Sequence, residues 1–272
     1  MSYLYTEKQL LIRMKLKKIL LTSTLLLAAY STTIQAQQTQ VIAHRGFWQT
    51  TGSAQNSIAA LTKADSIHCY GSELDVWLTA DNQLVVNHDD VFKGVIPQDA
   101  TATVCTSVRL DNGEPMPTLR QYVLKSRELS TRLIVELKPH RTPEQETRAV
   151  QGIVRMIHDY DLEDRVEYIS FSLHAVKEFI RLAPAGTPVY YLNGDLEPQA
   201  LKDLGCAGAD YALKVFRKHP EWIAECHALG MKVNAWTVNN AQDMQWLIEH
   251  NVDYITTNEP LLLQQILQKN KQ

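Results

Sequence analysis

Val41-Ile42-Ala43-His44-Arg45-Gly46 and, one β/α unit later, Gly71-Ser72-Glu73-Leu74-Asp75-Val76 decide how this chain is read. The first stretch is an apolar run that delivers a histidine and an arginine to a glycine turn. The second carries two carboxylates at i and i+2. Side chains two apart on a strand point to the same face, so Glu73 and Asp75 are expected to converge. Imidazole, guanidinium and paired carboxylates at strand ends are the groups that a metal-assisted attack on a phosphate ester requires.

Working outward, apolar strand-like runs alternate with helical patterns. Val41–His44 and Glu73–Leu78 read as the first two strands, followed by Leu133–Lys138, Val166–Ser170, Pro188–Leu192, Ala209–Leu213, Lys232–Trp236 and Tyr254–Thr256. Helical patterns fall near 173–182, 198–204, 218–228, 240–249 and 260–268, and helices are expected to start at Asn56, Thr118 and Thr142-Pro143. Strands separated by helices throughout indicate parallel β/α units. Counting Leu84–His88 as an accessory to the second unit leaves eight, which favours a closed (β/α)8 barrel of the TIM type. Residues 89–117, broken by Gly94, Pro97, Gly113, Pro115 and Pro117, read as a small insertion after that unit. The polar residues of these runs come late: His44, Glu73, Asp75, His88, Glu136, Lys138, Trp236 and Asn258. In such barrels the chemistry sits at the C-terminal strand ends, so position and residue type agree.

Residues 1–36 are set apart from the fold. Met14 opens a basic segment, Lys15-Leu16-Lys17-Lys18, and Ile19–Ala29 is a short, mostly apolar run followed by small and polar residues to Ala36. This is the pattern of an N-terminal extension plus a cleaved signal peptide, too short to span a bilayer comfortably. The expectation is an exported protein, periplasmic or secreted, with residues 37–272 as one barrel domain and no stable membrane anchor after cleavage. Removing the leader takes away five basic groups and one acidic group, leaving 22 basic and 29 acidic residues and a formal charge of −7. So acidic a chain lacks the electrostatic footprint of a nucleic-acid binder. Cys69, Cys105, Cys206 and Cys226 form no C-x-x-C pair, which argues against a thiolate zinc site; one or two disulfides, or buried thiols, both fit export.

Glu73, Asp75 and Glu136 each interrupt an apolar strand. Three inward carboxylates in one pocket raise one another's pKa unless something positive compensates. A divalent cation does so, and all-oxygen ligation favours Mg²⁺ or Ca²⁺; the alternative is a buried ion network with Arg45 and Lys138. His44 and His88 are the candidate proton-transfer pair, while His68, His140, His158, His174, His219, His227 and His250 are read as structural. Arg45 and Lys138 suit a phosphate. Trp236 shares a face with Asn234 and either walls a pocket or packs in the core. No phosphate-loop, dinucleotide or G-x-S-x-G pattern is present.

His44-Arg45-Gly46, Glu73-Leu74-Asp75, His88-Asp89 and Val135-Glu136-Leu137-Lys138 together resemble the glycerophosphodiester phosphodiesterase family. Asn56, Met116-Pro117-Thr118-Leu119, Ser170-Phe171, Ala235-Trp236-Thr237-Val238 and Thr256-Thr257-Asn258-Glu259-Pro260 match in order across the mature chain. The resemblance implies a TIM-type barrel that hydrolyses glycerophosphodiesters to glycerol 3-phosphate and an alcohol, with Ca²⁺ or Mg²⁺. By the resemblance His44 and His88 are the acid/base pair, Glu73, Asp75 and Glu136 are metal ligands, and Arg45 and Lys138 bind phosphate. Two positions depart from it: Gln55 stands where the family usually has Glu, and Asp90-Val91-Phe92 replaces an Arg-Thr pair. Two rival readings are a phospholipase on the same barrel, with Phe47-Trp48 and Val91-Phe92 as an apolar ledge for acylated lipid, and a non-catalytic phosphodiester-binding module.

Overall fold

The structure, a computed structural model, describes residues 38–270; the expected leader over residues 1–36 lies outside the described residues. Eight parallel strands close on themselves: β1 (Gln40–Ala43), β2 (Gly71–Leu78), β4 (Arg132–Leu137), β5 (Val166–Ser170), β6 (Val189–Tyr191), β7 (Gly208–Ala212), β8 (Lys232–Trp236) and β9 (Tyr254–Thr257). Closure comes from β1, which pairs with β9 from Gln40↔Tyr254 to Ala43↔Thr257 and with β2 at Ile42↔Gly71. The expected eight-unit barrel is what the chain builds. β3 (Leu84–Val86) is the accessory strand: it runs antiparallel to β2 from Val76 onward, beyond the part of β2 that β1 covers.

Alternation along the strands divides the core in two. Leu74, Val76, Val135 and Leu137 point outward and pack with helix residues such as Val150, Ile153 and Phe179. Ile42, Ile134, Ile169, Tyr190 and Tyr254 fill the barrel interior. Glu73 and Asp75, one residue out of phase with Leu74 and Val76, therefore face inward, and the register sets Asp75 beside Glu136. Close strand contact at β7 requires glycine: a Cβ on Gly208 would lie 1.9 Å from the Lys232 carbonyl oxygen.

The helices obey local signals. Thr118 opens α3 (Leu119–Ser126) and Thr142 opens α4 (Pro143–Asp159), each through a reciprocal capping box with Gln121 or Gln145. The expectation that Asn56 caps α1 (Ile58–Ser66) is corrected: Ser57 accepts from the Ala60 N–H instead. Asn56 sits at φ +59 and is turned to Asp75. The pattern near 218–228 resolves into α7 (Leu213–Lys218) and α8 (Glu221–Ala228), interrupted at His219-Pro220, where proline disfavours helical backbone in the residue before it. The remaining helices flank the barrel: α5 (Leu173–Leu182), α6 (Pro198–Leu204), α9 (Ala241–Glu249) and α10 (Pro260–Lys269).

The insertion after β3 holds a 3₁₀ turn (Pro97–Asp99) and α2 (Ala102–Ser107). It closes its own small core of Trp77, Val85, Cys105, Leu110 and Met116 with Ala54 of the β1–α1 loop. All four cysteines are buried and unpaired. Among the described residues no helix is long and apolar enough to cross a membrane.

Candidate active site

The inward residues at the C-terminal strand ends surround one cavity of about 130 Å³, lined by His44, Arg45, Glu73, His88, Glu136, Lys138 and Trp236 among others. All the side chains singled out from sequence line it except Asp75, which is bonded to Lys138, and Asn258, which meets His44 Nδ1. The other histidines stand outside it.

Glycine permits the turn that presents the first pair. Gly46 has φ +78, and a Cβ there would lie 2.6 Å from the Ala60 Cβ, so the backbone passes α1 only because no side chain intervenes. Arg45 takes φ +57, and its backbone N–H donates to Glu73 Oε2 at 2.7 Å. Its guanidinium donates to Gln55 Oε1 at 2.5 Å and lies 3.8 Å from Asp75 Oδ2. Gln55 therefore holds Arg45 as a neutral acceptor would.

Glu73, Asp75 and Glu136 are all buried, and one oxygen from each lies within 4.8 Å of the others. Asp75 is the best supported. Asn56 Nδ2 donates to Oδ2 at 2.8 Å and Lys138 Nζ reaches Oδ1 at 3.1 Å. Burial pushes its pKa up, but Lys138, His88 and Asn56 outweigh that and hold it below the usual range. Glu136 lies 2.7 Å from Lys138 Nζ, yet burial and the Asp75 charge push its pKa up to about 7. Glu73 is raised well above the usual range by burial, Asp75 and Glu136, and its Oε1 is buried without a hydrogen-bond donor. Three carboxylates against Arg45 and Lys138 leave one negative charge, and an orphaned oxygen faces the cluster. The residues fit a hard divalent cation held by oxygen.

His44 Nδ1 lies 2.8 Å from Asn258 Oδ1, so Nδ1 carries the proton and Nε2, 4.0 Å from Glu73 Oε2, is the free acceptor. Burial, then Arg45, push its pKa down to about 4. His88 is less enclosed; its Nδ1 lies 2.8 Å from Asp89 Oδ1. Lys138, read from sequence as a phosphate ligand or as a partner of the carboxylates, lines the cavity and is held by two of those carboxylates, which raise its pKa against the effect of burial. Trp236 is a wall residue: it meets Phe171 edge to face at 5.4 Å, and its indole N–H donates to the Asp210 carbonyl at 3.0 Å.

Sequence reasoning passed over two residues. Asn56 was read as a cap, although a polar residue after a glycine turn can equally brace a neighbouring strand. Asp210 faces the cavity from β7; the signal was a lone carboxylate two residues after Gly208 in an otherwise small and apolar strand.

The model of the glycerophosphoryl diester phosphodiesterase family matches residues 44–262. A glycerophosphodiester phosphodiesterase from Parabacteroides distasonis, solved as a crystal structure, is 48% identical with a TM-score of 0.85, covering 87% of this chain and 99% of its own. A glycerophosphodiester phosphodiesterase from Caldanaerobacter subterraneus is 28% identical over 249 residues, 85% of this chain and 99% of the relative. An Oleispira antarctica phosphodiesterase, solved in complex with its product sn-glycerol-3-phosphate, shares the fold at 24% identity and a TM-score of 0.73, covering 85% of this chain and 97% of its own. The chain belongs to the glycerophosphoryl diester phosphodiesterase family and is an enzyme of the phosphoric diester hydrolase class.

Proposed function

We propose that this enzyme hydrolyses glycerophosphodiesters to glycerol 3-phosphate and an alcohol, with a divalent cation, Ca²⁺ or Mg²⁺, and histidine acid/base catalysis. The observation that carries the reading is the convergence of three buried carboxylates, one of them with an orphaned oxygen, at a cavity that two histidines also line.

Glu73, Asp75 and Glu136 would hold the cation, which when bound polarises the phosphoryl group and offsets the charge that develops on it. Arg45 and Lys138, both lining the cavity, bind and orient the phosphate oxygens. His44, neutral at neutral pH and with Nε2 free, takes the proton from the attacking oxygen as general base. His88, near the cavity edge and oriented by Asp89, donates a proton to the departing alkoxide. Trp236 and Phe171 wall the substrate and exclude water. A cavity of about 130 Å³ is smaller than the roughly 300–1,000 Å³ that drug-sized ligands fill, which favours a compact glycerophosphoryl unit over a diacyl lipid.

The reading also covers the ends of the chain: residues 1–36 act as an extension and cleaved leader, and residues 37–272 work outside the cytoplasm. Cell fractionation and N-terminal sequencing of the mature protein test this; a cytoplasmic protein that retains Met1 or Met14 contradicts it. The activity is tested by incubating purified protein with deacylated and acylated glycerophosphodiesters, with Ca²⁺, Mg²⁺ or EDTA, and measuring glycerol 3-phosphate. Full activity in metal-stripped protein removes the cation from the account. A folded protein inert to every phosphodiester overturns the reading as a whole.

A further inference from the structure

The cavity has two unlike halves. One carries the histidines, carboxylates and bases already described. The other is made by Ile169, Phe171, Leu192 and Trp236 around Asp210, Asn234 and Thr256. It contributes nothing to proton transfer or to cation binding in the mechanism above, and yet it encloses a carboxyl group.

Asp210 is 2% exposed. Among the described residues no lysine, arginine or histidine pairs with it; its one side-chain donor is Asn234 Nδ2, 2.8 Å from Oδ1. Asn234 is in turn fixed by Thr256, whose Oγ1 accepts from the same Nδ2 at 2.9 Å. The β7–β8 register sets Asp210 beside Asn234, and the Trp236 indole donates to the Asp210 carbonyl, so the carboxyl is held by its own strand and its neighbour. Burying a carboxylate with a single amide donor is costly unless a ligand supplies more donors. Burial favours the protonated carboxyl, which marks the same deficit and leaves Asp210 able both to accept from and to donate to a ligand hydroxyl. A buried structural carboxylate has a cation or backbone N–H groups around it, as Asp253 does with Lys232, His227 and the Val233 N–H.

We propose that Asp210, braced by Asn234 and Thr256, is the hydroxyl-binding residue of a subsite for a small unacylated polyol, taking the free hydroxyls of the glycerol unit. The inference rests on the phosphodiesterase reading and deepens it. Apolar side chains flank the C–H faces of such a ligand, and the carboxylate at its end accepts O–H donors that an acylated glycerol lacks. An ester in place of a hydroxyl would leave Asp210 desolvated without a donor, so selection against acylated lipid comes from this residue as well as from size.

The test is a binding comparison that requires no turnover. Calorimetric or competition titration of the full-length protein with glycerol 3-phosphate and with propyl phosphate, which has the same charge and chain but no hydroxyls, gives a selectivity ratio. Wild type is expected to prefer glycerol 3-phosphate on the order of 10- to 100-fold, the range for satisfying a buried polar group that is otherwise left without partners. In Asp210→Asn and Asp210→Ala the ratio is expected to fall to within about threefold of unity, with circular dichroism and melting confirming the fold. A merely structural Asp210 would weaken both ligands together and leave the ratio unchanged. Equal binding of the two ligands by wild type, or an unchanged ratio in a folded variant, overturns the subsite. Loss of the parent reading is distinguishable: protein that hydrolyses no phosphodiester yet shows the ratio contradicts the enzyme assignment and not the polyol site.

Discussion

Cation binding at Glu73, Asp75 and Glu136 should depend steeply on pH, and the structure supplies the magnitude. Burial and the Asp75 charge lift Glu136 from 4.5 to about 7. Only the ionised carboxylate is a ligand, so protons compete with the cation below that value. The sign follows: a raised carboxyl is protonated at pH 5 and ionised at pH 8, so binding strengthens as pH rises. At pH 5 about 1% of Glu136 is ionised, an affinity loss of roughly 100-fold relative to pH 8, or about 2.7 kcal/mol. Glu73 is raised by burial and both neighbouring carboxylates and adds in the same direction. For a chain of this size about 2.7 kcal/mol corresponds to roughly 5–10 °C in melting temperature. Metal-stripped protein should therefore melt higher by about that much more on adding saturating Ca²⁺ or Mg²⁺ at pH 8 than at pH 5. Comparing plus and minus cation at each pH cancels the contribution of His44, which runs in the same direction because its depressed pKa adds stability as pH rises from about 4 towards 6.5. Differential scanning fluorimetry with Glu136→Gln as control reads the effect. An equal shift at both pH values, or one that Glu136→Gln leaves intact, would refute the reasoning.

Other expectations follow from single contacts. His44→Ala and His88→Ala should each lower kcat by about 10²–10⁴-fold while the cation-induced melting shift persists, separating proton transfer from metal binding in one pair of assays. Gln55→Leu removes the acceptor of the Arg45 guanidinium and should raise KM several-fold with a smaller change in kcat; an unchanged KM would show that Arg45 needs no such support. Gly208→Ala drives a methyl into the Lys232 carbonyl and should cost at least ~3 kcal/mol, read as loss of soluble protein or of the cooperative melt.

The barrel was legible because its two signals agree. Strand runs alternating with helix patterns give the parallel β/α count, and late polar residues in those runs mark the catalytic end. Glu73 and Asp75 could be placed inward from their spacing alone, since a period of two leaves no other choice once Leu74 and Val76 face the helices. Thr118 and Thr142 were readable as helix starts from local chemistry, a capping hydroxyl and, after Thr142, a proline at the first helical position; the reciprocal bonds with Gln121 and Gln145 emerge in the structure. What sequence could not give were relations across strands. Asn56 resembled a cap because Ser57 stands next to it; only the fold brings Asp75 within reach of its amide. Gln55 read as a departure, and only the fold shows its side-chain oxygen accepting from the Arg45 guanidinium. Asp210 was silent because one carboxylate in a strand has no meaning until Asn234 is seen beside it and no cation is.

The proposed chemistry is cleavage of a deacylated glycerophosphodiester by this barrel with a cation held by Glu73, Asp75 and Glu136. Glycerol 3-phosphate release by metal-stripped protein, measured before and after adding Ca²⁺ or Mg²⁺ and repeated with Glu73→Ala, tests it directly. The predicted result is release restored by the cation in wild type, absent in the variant, and confined to unacylated substrate. Undiminished release without cation, or turnover of acylated lipid alone, would contradict it.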